Sequence, residues 1–257
     1  VRGEKLRTRL RDGERVYGTH VVETGNPNQL IWLAEAGMDF AFICTEHIPL
    51  DRKEVSWMCS LFAQRNVSPL VRIPFPSAER ASMMIDGGAQ GIVAPYVETA
   101  EQVEALIGAV RYRPIKGEFL KEVLTGKRKP AEKLEKFWEG FNRDLYLIIG
   151  IESVPAIRDL KDLIRYEEVD GVFLGPHDIT CSMEIPEEYD NPDFIHTIKD
   201  VIKTCREMGK GVGLHCDFAL PRNREYIEAG MNFILHDSDI MKSRNTLKRE
   251  FEELWNF

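Results

Sequence analysis

The sequence predicts a TIM (β/α)8 barrel, and three observations carry that expectation. Short apolar runs rich in Val, Ile and Phe alternate with longer segments of helical spacing, the pattern that a parallel sheet with crossover helices requires. Eight such units fit in 257 residues, which matches a barrel of about 250 residues. Glycine-containing turns at 36–39, 87–91, 208–211 and 229–232 stand where a helix ends and the next strand begins.

In order, the expected strands are 15–20, 39–46, 69–73, 91–95, 146–152, 171–175, 211–216 and 233–236. The helices between them are expected at 27–36, 52–65, 78–86, 100–111, 154–165, 192–208, 220–229 and 240–255. The fifth unit shows the punctuation well: the run that ends at Glu152 is followed by Ser153-Val-Pro155, a capping Ser and an early Pro. No composition break divides the chain, so 1–257 reads as one domain. Segment 112–144 is too long for a connection of this fold, and its second half has the pattern of an extra amphipathic helix. It reads as a lid, a subunit contact or a solvated decoration.

Composition excludes several classes. With 43% hydrophobic and 30% charged residues the chain is globular and not of low complexity. A net charge of −8 repels polyanions, so no nucleic-acid partner is expected, and the Lys-Arg-Lys run at 127–129 reads as a solvated turn. No apolar run approaches the roughly 18 to 20 residues of a membrane span. The charged start lacks a signal-peptide stretch, although a first residue other than Met suggests trimming; a cytoplasmic location is expected. Five cysteines, Cys44, Cys59, Cys181, Cys205 and Cys216, show no Cys-x-x-Cys pair and read as reduced thiols.

Active sites of such barrels lie at the C-terminal ends of the strands. Glu152 closes the fifth expected strand and Asp178 follows the sixth, so the two carboxylates should be neighbours; they suit Mg2+ or Mn2+, or else serve as ordinary helix-start carboxylates. His47 follows Glu46 at the second mouth, where an imidazole can move a proton. Arg72 stands in an apolar run, so it must pair with a carboxylate such as Glu46 or offer its fork to an anionic substrate. No strand end presents a lysine for a Schiff base, and no Gly-rich nucleotide loop occurs.

Together these residues resemble the HpcH/HpaI aldolase family. The resemblance rests on Ala34-Glu-Ala-Gly-Met-Asp-Phe-Ala-Phe-Ile-Cys-Thr-Glu-His47, Val71-Arg-Ile-Pro74, Asp86-Gly-Gly-Ala-Gln-Gly-Ile-Val-Ala-Pro95, Ala100-Glu-Gln-Val103, Val110-Arg-Tyr-Arg-Pro114, Ile151-Glu-Ser-Val-Pro-Ala156 and Asp170-Gly-Val-Phe-Leu-Gly-Pro-His-Asp-Ile179. It implies a metal-dependent aldolase that makes or cleaves a 4-hydroxy-2-oxo acid, with pyruvate as the oxo-acid part and an aldehyde as the other. It also implies a divalent metal (Mg2+, Mn2+ or Co2+) on Glu152 and Asp178, Arg72 on the ketone oxygen and His47 as acid/base. The substrate carboxylate would sit at the helix start formed by Gly175, Pro176 and His177, with Glu46 and Asp86 in support. Family dimers that build hexamers often exchange the last helix, here 240–257, so a homo-oligomer is expected.

Three positions depart from the family pattern. Cys44 stands where an Asp would support His47, Gly150 where a Gln is expected, and the loop after Arg113-Pro114 differs, with no evident arginine for Asp86. They motivate an alternative, a barrel that binds metal and oxo acid without turnover. A metal-dependent hydrolase, suggested by the strand-end histidines, is the weakest reading, because strand one offers only Thr19-His20.

Overall fold

The computed structural model describes residues 2–22, 26–215 and 220–257. Its eight parallel strands are β1 (Val16–Val21), β2 (Phe40–Cys44), β3 (Ser68–Arg72), β4 (Gly91–Ala94), β5 (Tyr146–Ile151), β6 (Val169–Leu174), β7 (Gly211–Leu214) and β8 (Phe233–Ser238). They close in chain order, with β8 returning to pair β1. The helices are α1 (Gly3–Asp12), α2 (Pro27–Ala34), α3 (Arg52–Gln64), α4 (Ala78–Asp86), α5 (Ala100–Arg111), α6 (Gly117–Leu124) and α7 (Glu132–Phe141). After β5 follow α8 (Val154–Arg158), α9 (Leu160–Leu163), α10 (Pro176–Ser182), α11 (Pro192–Glu207), α12 (Leu220–Glu228) and α13 (Asp239–Trp255).

Side-chain alternation explains why strands this apolar have two destinations. In β2, Phe40, Phe42 and Cys44 fill the barrel with Leu70, Val93, Tyr146, Phe173 and Phe233. Ala41 and Ile43 point outward into the layer shared with the helices. The interior is a packed core, so chemistry is confined to its rim.

All eight strands fall where the sequence placed them, with differences at the ends. β2 stops at Cys44, which leaves Glu46 and His47 on the loop beyond it. The expected end of the seventh strand at Cys216 lies outside the described residues. The helix expected over 154–165 is two pieces, interrupted at Asp159, where the backbone (φ −96°, ψ 12°) leaves the helical region and the side chain takes two hydrogen bonds from Arg158.

Helix α1 was not anticipated, because only Leu6 and Leu10 interrupt its charged surface. These two side chains plug the lower end of the barrel. Beside the plug, fully buried Asp170 lies 2.9 Å from Arg11, 3.8 Å from Arg111 and 3.9 Å from Arg7, and accepts the Leu147 N–H at 3.0 Å. Segment 112–144 forms α6 and α7 and is anchored at this rim. The Asn142 amide donates to the Arg111 and Arg113 carbonyls, and the Trp138 ring meets Tyr112 edge-on. Among the described residues, none of this segment lines the mouth cavity. No helix among the described residues is long and apolar enough to cross a membrane.

Candidate active site

Four strands deliver the site. Arg72 is the last residue of β3, Cys44 the last of β2, Glu152 follows β5, and Asp178 lies in the first turn of α10 after β6. A cavity of about 540 Å³ at this mouth is lined by His47, Arg72, Gly175, Pro176, His177, Asp178, Tyr189 and His215.

The two carboxylates converge on Gly175. A Cβ placed on that glycine would stand 2.9 Å from Glu152 Cγ and 3.1 Å from Asp178 Oδ2, so only a residue without a side chain leaves the space between them open. Neither carboxylate forms an ion pair with a lysine or arginine among the described residues. Glu152 is 5% exposed. Burial, then the charges of Asp178 and Glu46, push its carboxyl up to about 7, opposed by Arg72 and by a backbone hydrogen bond from Tyr96. Two facing carboxylates without a protein cation suit a hard divalent ion, which takes few protein oxygens and keeps positions for water and substrate. Among the described residues no group of three or more His, Cys, Asp or Glu is placed to hold a metal ion.

Arg72 is 6% exposed and tightly held. Its Nε and Nη2 donate to Cys44 Sγ at 3.3 and 3.1 Å, its Nε is 3.1 Å from Glu46 Oε2, and the guanidinium lies 5.5 Å from the Phe42 ring centre. The Glu46 contact is an ion pair without hydrogen-bond alignment, since Glu46 Oε2 is buried and accepts no hydrogen bond. Thr45 ties the end of the strand by donating its N–H and hydroxyl to the Arg72 carbonyl at 2.9 and 2.7 Å. Cys44 thus turns its sulfur to the arginine, while His47 reaches it only through a backbone N–H at 3.4 Å. The imidazole of His47 is exposed, with Nε2 3.8 Å from Glu46 Oε2.

The other expected residues divide. Gly175 is the N-cap of α10 and Pro176 its first residue, which leaves the opening amides without helical acceptors. His177 borders the cavity but faces outward, 3.9 Å from Glu187. Asp86 ends α4 at the lower end of the barrel, away from the mouth, and it does have an arginine: Arg113 pairs with it. The expectation that its partner was missing is therefore corrected. The Gly150 departure has a local reason. A Cβ there would meet the Pro95 Cα at 2.8 Å and Glu152 Oε1 at 3.0 Å, so the close approach of β4 to β5 requires glycine.

Sequence reasoning did not select Tyr96, Tyr189 or His215 for the site. Tyr96, two residues beyond β4, has a left-handed backbone (φ 51°) and gives its N–H to Glu152. His215 follows β7 by one residue; its position at a strand end was the available signal, shared with four other histidines.

A closed eight-stranded parallel barrel with paired carboxylates and an arginine at its C-terminal rim has the architecture of (β/α)8 enzymes, whose active sites lie at that rim. The family model described as HpcH/HpaI aldolase/citrate lyase matches residues 23–245, and the chain belongs to that family of carbon–carbon lyases. It is 27% identical over 240 residues to a hydroxypyruvate/pyruvate aldolase of Agrobacterium fabrum, covering 88% of this chain and 89% of the relative. It is 29% identical over 219 residues to a 2-keto-3-deoxy-L-rhamnonate aldolase of Klebsiella pneumoniae, covering 84% and 80%. The fold matches the crystal structure of an HpcH/HpaI aldolase from Desulfitobacterium hafniense with a TM-score of 0.82 at 22% identity, over 98% of this chain and 97% of that one.

Proposed function

We propose that this chain is a class II aldolase that makes or cleaves a 4-hydroxy-2-oxo acid, with pyruvate or a close analogue as the oxo-acid half. The observation that carries the reading is the pair Glu152 and Asp178, converging without a protein cation beside a glycine that keeps their shared space open. In the cleavage direction the C3–C4 bond breaks, C4 leaves as the aldehyde after its hydroxyl gives up a proton, and the electron pair passes to the oxo-acid half as an enolate. C3 then takes a proton. Glu152 and Asp178 would hold Mg2+, Mn2+ or Co2+, which when bound supplies a Lewis acid for the oxo-acid oxygens. Arg72, fixed by Cys44 and Glu46, directs its guanidinium at the ketone oxygen that gains charge. His47, exposed at the rim, moves the proton of the C4 hydroxyl. The opening amides of α10 receive the substrate carboxylate.

Pyruvate release from 4-hydroxy-2-oxo acids with Mn2+, lost in chelator, is the expected result; full activity in chelator would refute the reading. One observation favours the second reading, a barrel that binds without turnover: His47 has no aligned carboxylate partner. Calorimetric binding of pyruvate with no turnover across an aldehyde panel would select it.

The same reading includes a homo-oligomer built by exchange of the last helix. Helix α13 buries none of its residues, and Leu247, Phe251, Leu254 and Trp255 are exposed. A groove of about 1240 Å³ beside its base, lined by Trp32, Leu33, Ile227 and Ile234, offers a matching apolar surface. Light scattering should give a multiple of 29.5 kDa, and Phe251→Glu should reduce it.

A further inference from the structure

The lower end of the barrel holds a second cavity, of about 800 Å³, bounded by α1, the end of α5 and the α6–α7 segment. One side of it is cationic. Arg7, Arg11 and Arg111 line it and share the single buried carboxylate of Asp170, at 3.9, 2.9 and 3.8 Å, while Asp170 itself is outside the lining. The other side is anionic, since Glu135, Glu139 and Glu167 also line it and pair with no lysine or arginine among the described residues. The remaining charged groups have partners: Glu4 pairs with Arg143, Lys136 with Glu132, and Glu168 accepts the Tyr112 hydroxyl at 2.5 Å.

Two buried side chains of this same lining carry an unmet hydrogen-bonding group. Trp138, 5% exposed, has an indole N–H without an acceptor. Asn142, 2% exposed, spends its amide NH2 on the Arg111 and Arg113 carbonyls and has an amide oxygen without a donor. The two stand four residues apart, in α7 and at its C-cap, and so are neighbours on one helix face. Buried polar groups without partners cost stability and call for an explanation. Beside them Val123, Pro130 and the Trp138 ring, set edge-on to Tyr112, supply apolar surface.

We propose that this cavity is a second, non-catalytic binding site, and that it takes a free α-amino acid with an apolar side chain. The ligand carboxylate meets the arginines and accepts the Trp138 indole N–H, charge-assisted contacts of the strong kind. Its ammonium group donates to the Asn142 oxygen and faces the unpaired glutamates. Its side chain lies on Val123 and Pro130. A simple anion would leave the Asn142 oxygen and three carboxylates unmet, and a simple amine would leave the indole N–H and the arginines unmet. A zwitterion with an acceptor and a donor on adjacent atoms answers both, as the balanced charge of the lining requires. Bound there, it ties α7 to α1 at the end of the barrel opposite Glu152 and Asp178, so the inference stands independently of the aldolase reading.

The test is calorimetric titration of the full chain with L-leucine and L-phenylalanine, beside 4-methylpentanoate, which is leucine without its amine, and 3-methylbutylamine, which is leucine without its carboxylate. At least one amino acid should bind, raise the melting temperature, and bind at least about 10-fold more tightly than either analogue. Mn2+ and pyruvate, added to fill the mouth, should leave that affinity unchanged. Trp138→Phe, which keeps the ring and removes the N–H, should weaken binding by about 10-fold or more, and Arg7→Gln should weaken it by a similar factor while Arg11 and Arg111 still hold Asp170. Melting temperatures of the unliganded variants equal to wild type separate these losses from misfolding. No binding of either amino acid at millimolar concentration, equal affinity for the acid or the amine analogue, displacement by pyruvate, or undiminished binding in both variants would overturn the inference.

Discussion

The two ends of the barrel treat a buried carboxylate in opposite ways. At the lower end, burial pushes the Asp170 carboxyl upward while Arg111, Arg11 and the Leu147 N–H push back, and its oxygens have partners. At the upper end Glu152 is nearly as buried, yet its charged neighbours include Asp178 and Glu46, and Arg72 is committed to Cys44 and Glu46. Buried atoms without hydrogen bonds occur at both ends, Glu46 Oε2 and His20 Nε2 above and Trp138 Nε1 and Asn142 Oδ1 in the segment anchored below, so the difference lies in the charges. The lower carboxylate is compensated by arginines. The upper pair is left facing like charge, which a bound cation would satisfy.

The largest effect expected from this contrast is on catalysis. Glu152→Gln and Asp178→Asn should each lower kcat/KM by about 10³-fold or more, at least about 4 kcal/mol of transition-state stabilisation. Their melting temperatures should stay level or rise, since each change relieves like-charge repulsion; a drop in melting temperature paralleling the lost activity would break the comparison. Asp170→Asn should do the reverse, destabilising the fold by about 3 kcal/mol or more, because three arginines lose their counter-charge. Denaturant titration measures it, with the activity per folded molecule largely kept.

The pH dependence sharpens the contrast further. Folded Glu152 binds its proton more tightly than the unfolded chain does, so the metal-free protein should lose stability as pH rises from about 4.5 to about 7 and level off above. The loss would amount to as much as roughly 3 kcal/mol. Glu152→Gln should flatten that slope in thermal melts at pH 5 to 8, and Mn2+ should flatten it in wild type. The smallest effect belongs to Asp86, whose carboxylate is 60% exposed. Asp86→Asn should cost less than about 1 kcal/mol despite the Arg113 pair, because solvent screens it.

Most of the barrel was legible because each strand is a short apolar run between glycine turns, and that signal is local. Helix α1 was not, since Leu6 and Leu10 mean little until the open barrel end they fill is known. Likewise Arg72 and Glu152 announced themselves as charges in apolar runs, and the pairing of Glu152 with Asp178 followed from strand order. Which way a side chain turns was not legible. Cys44 serves the arginine, Gly150 answers to Pro95 just beyond the neighbouring strand β4, and Asp86 finds Arg113 across the helical layer. Each depends on contacts between elements distant in sequence.

Manganese binding followed by electron paramagnetic resonance and anomalous diffraction tests the central claim most directly. One Mn2+ per barrel should appear between the Glu152 and Asp178 carboxylates beside Gly175, and either Glu152→Gln or Asp178→Asn should weaken it by an order of magnitude or more. An ion bound elsewhere, or undiminished binding in both variants, would contradict the account.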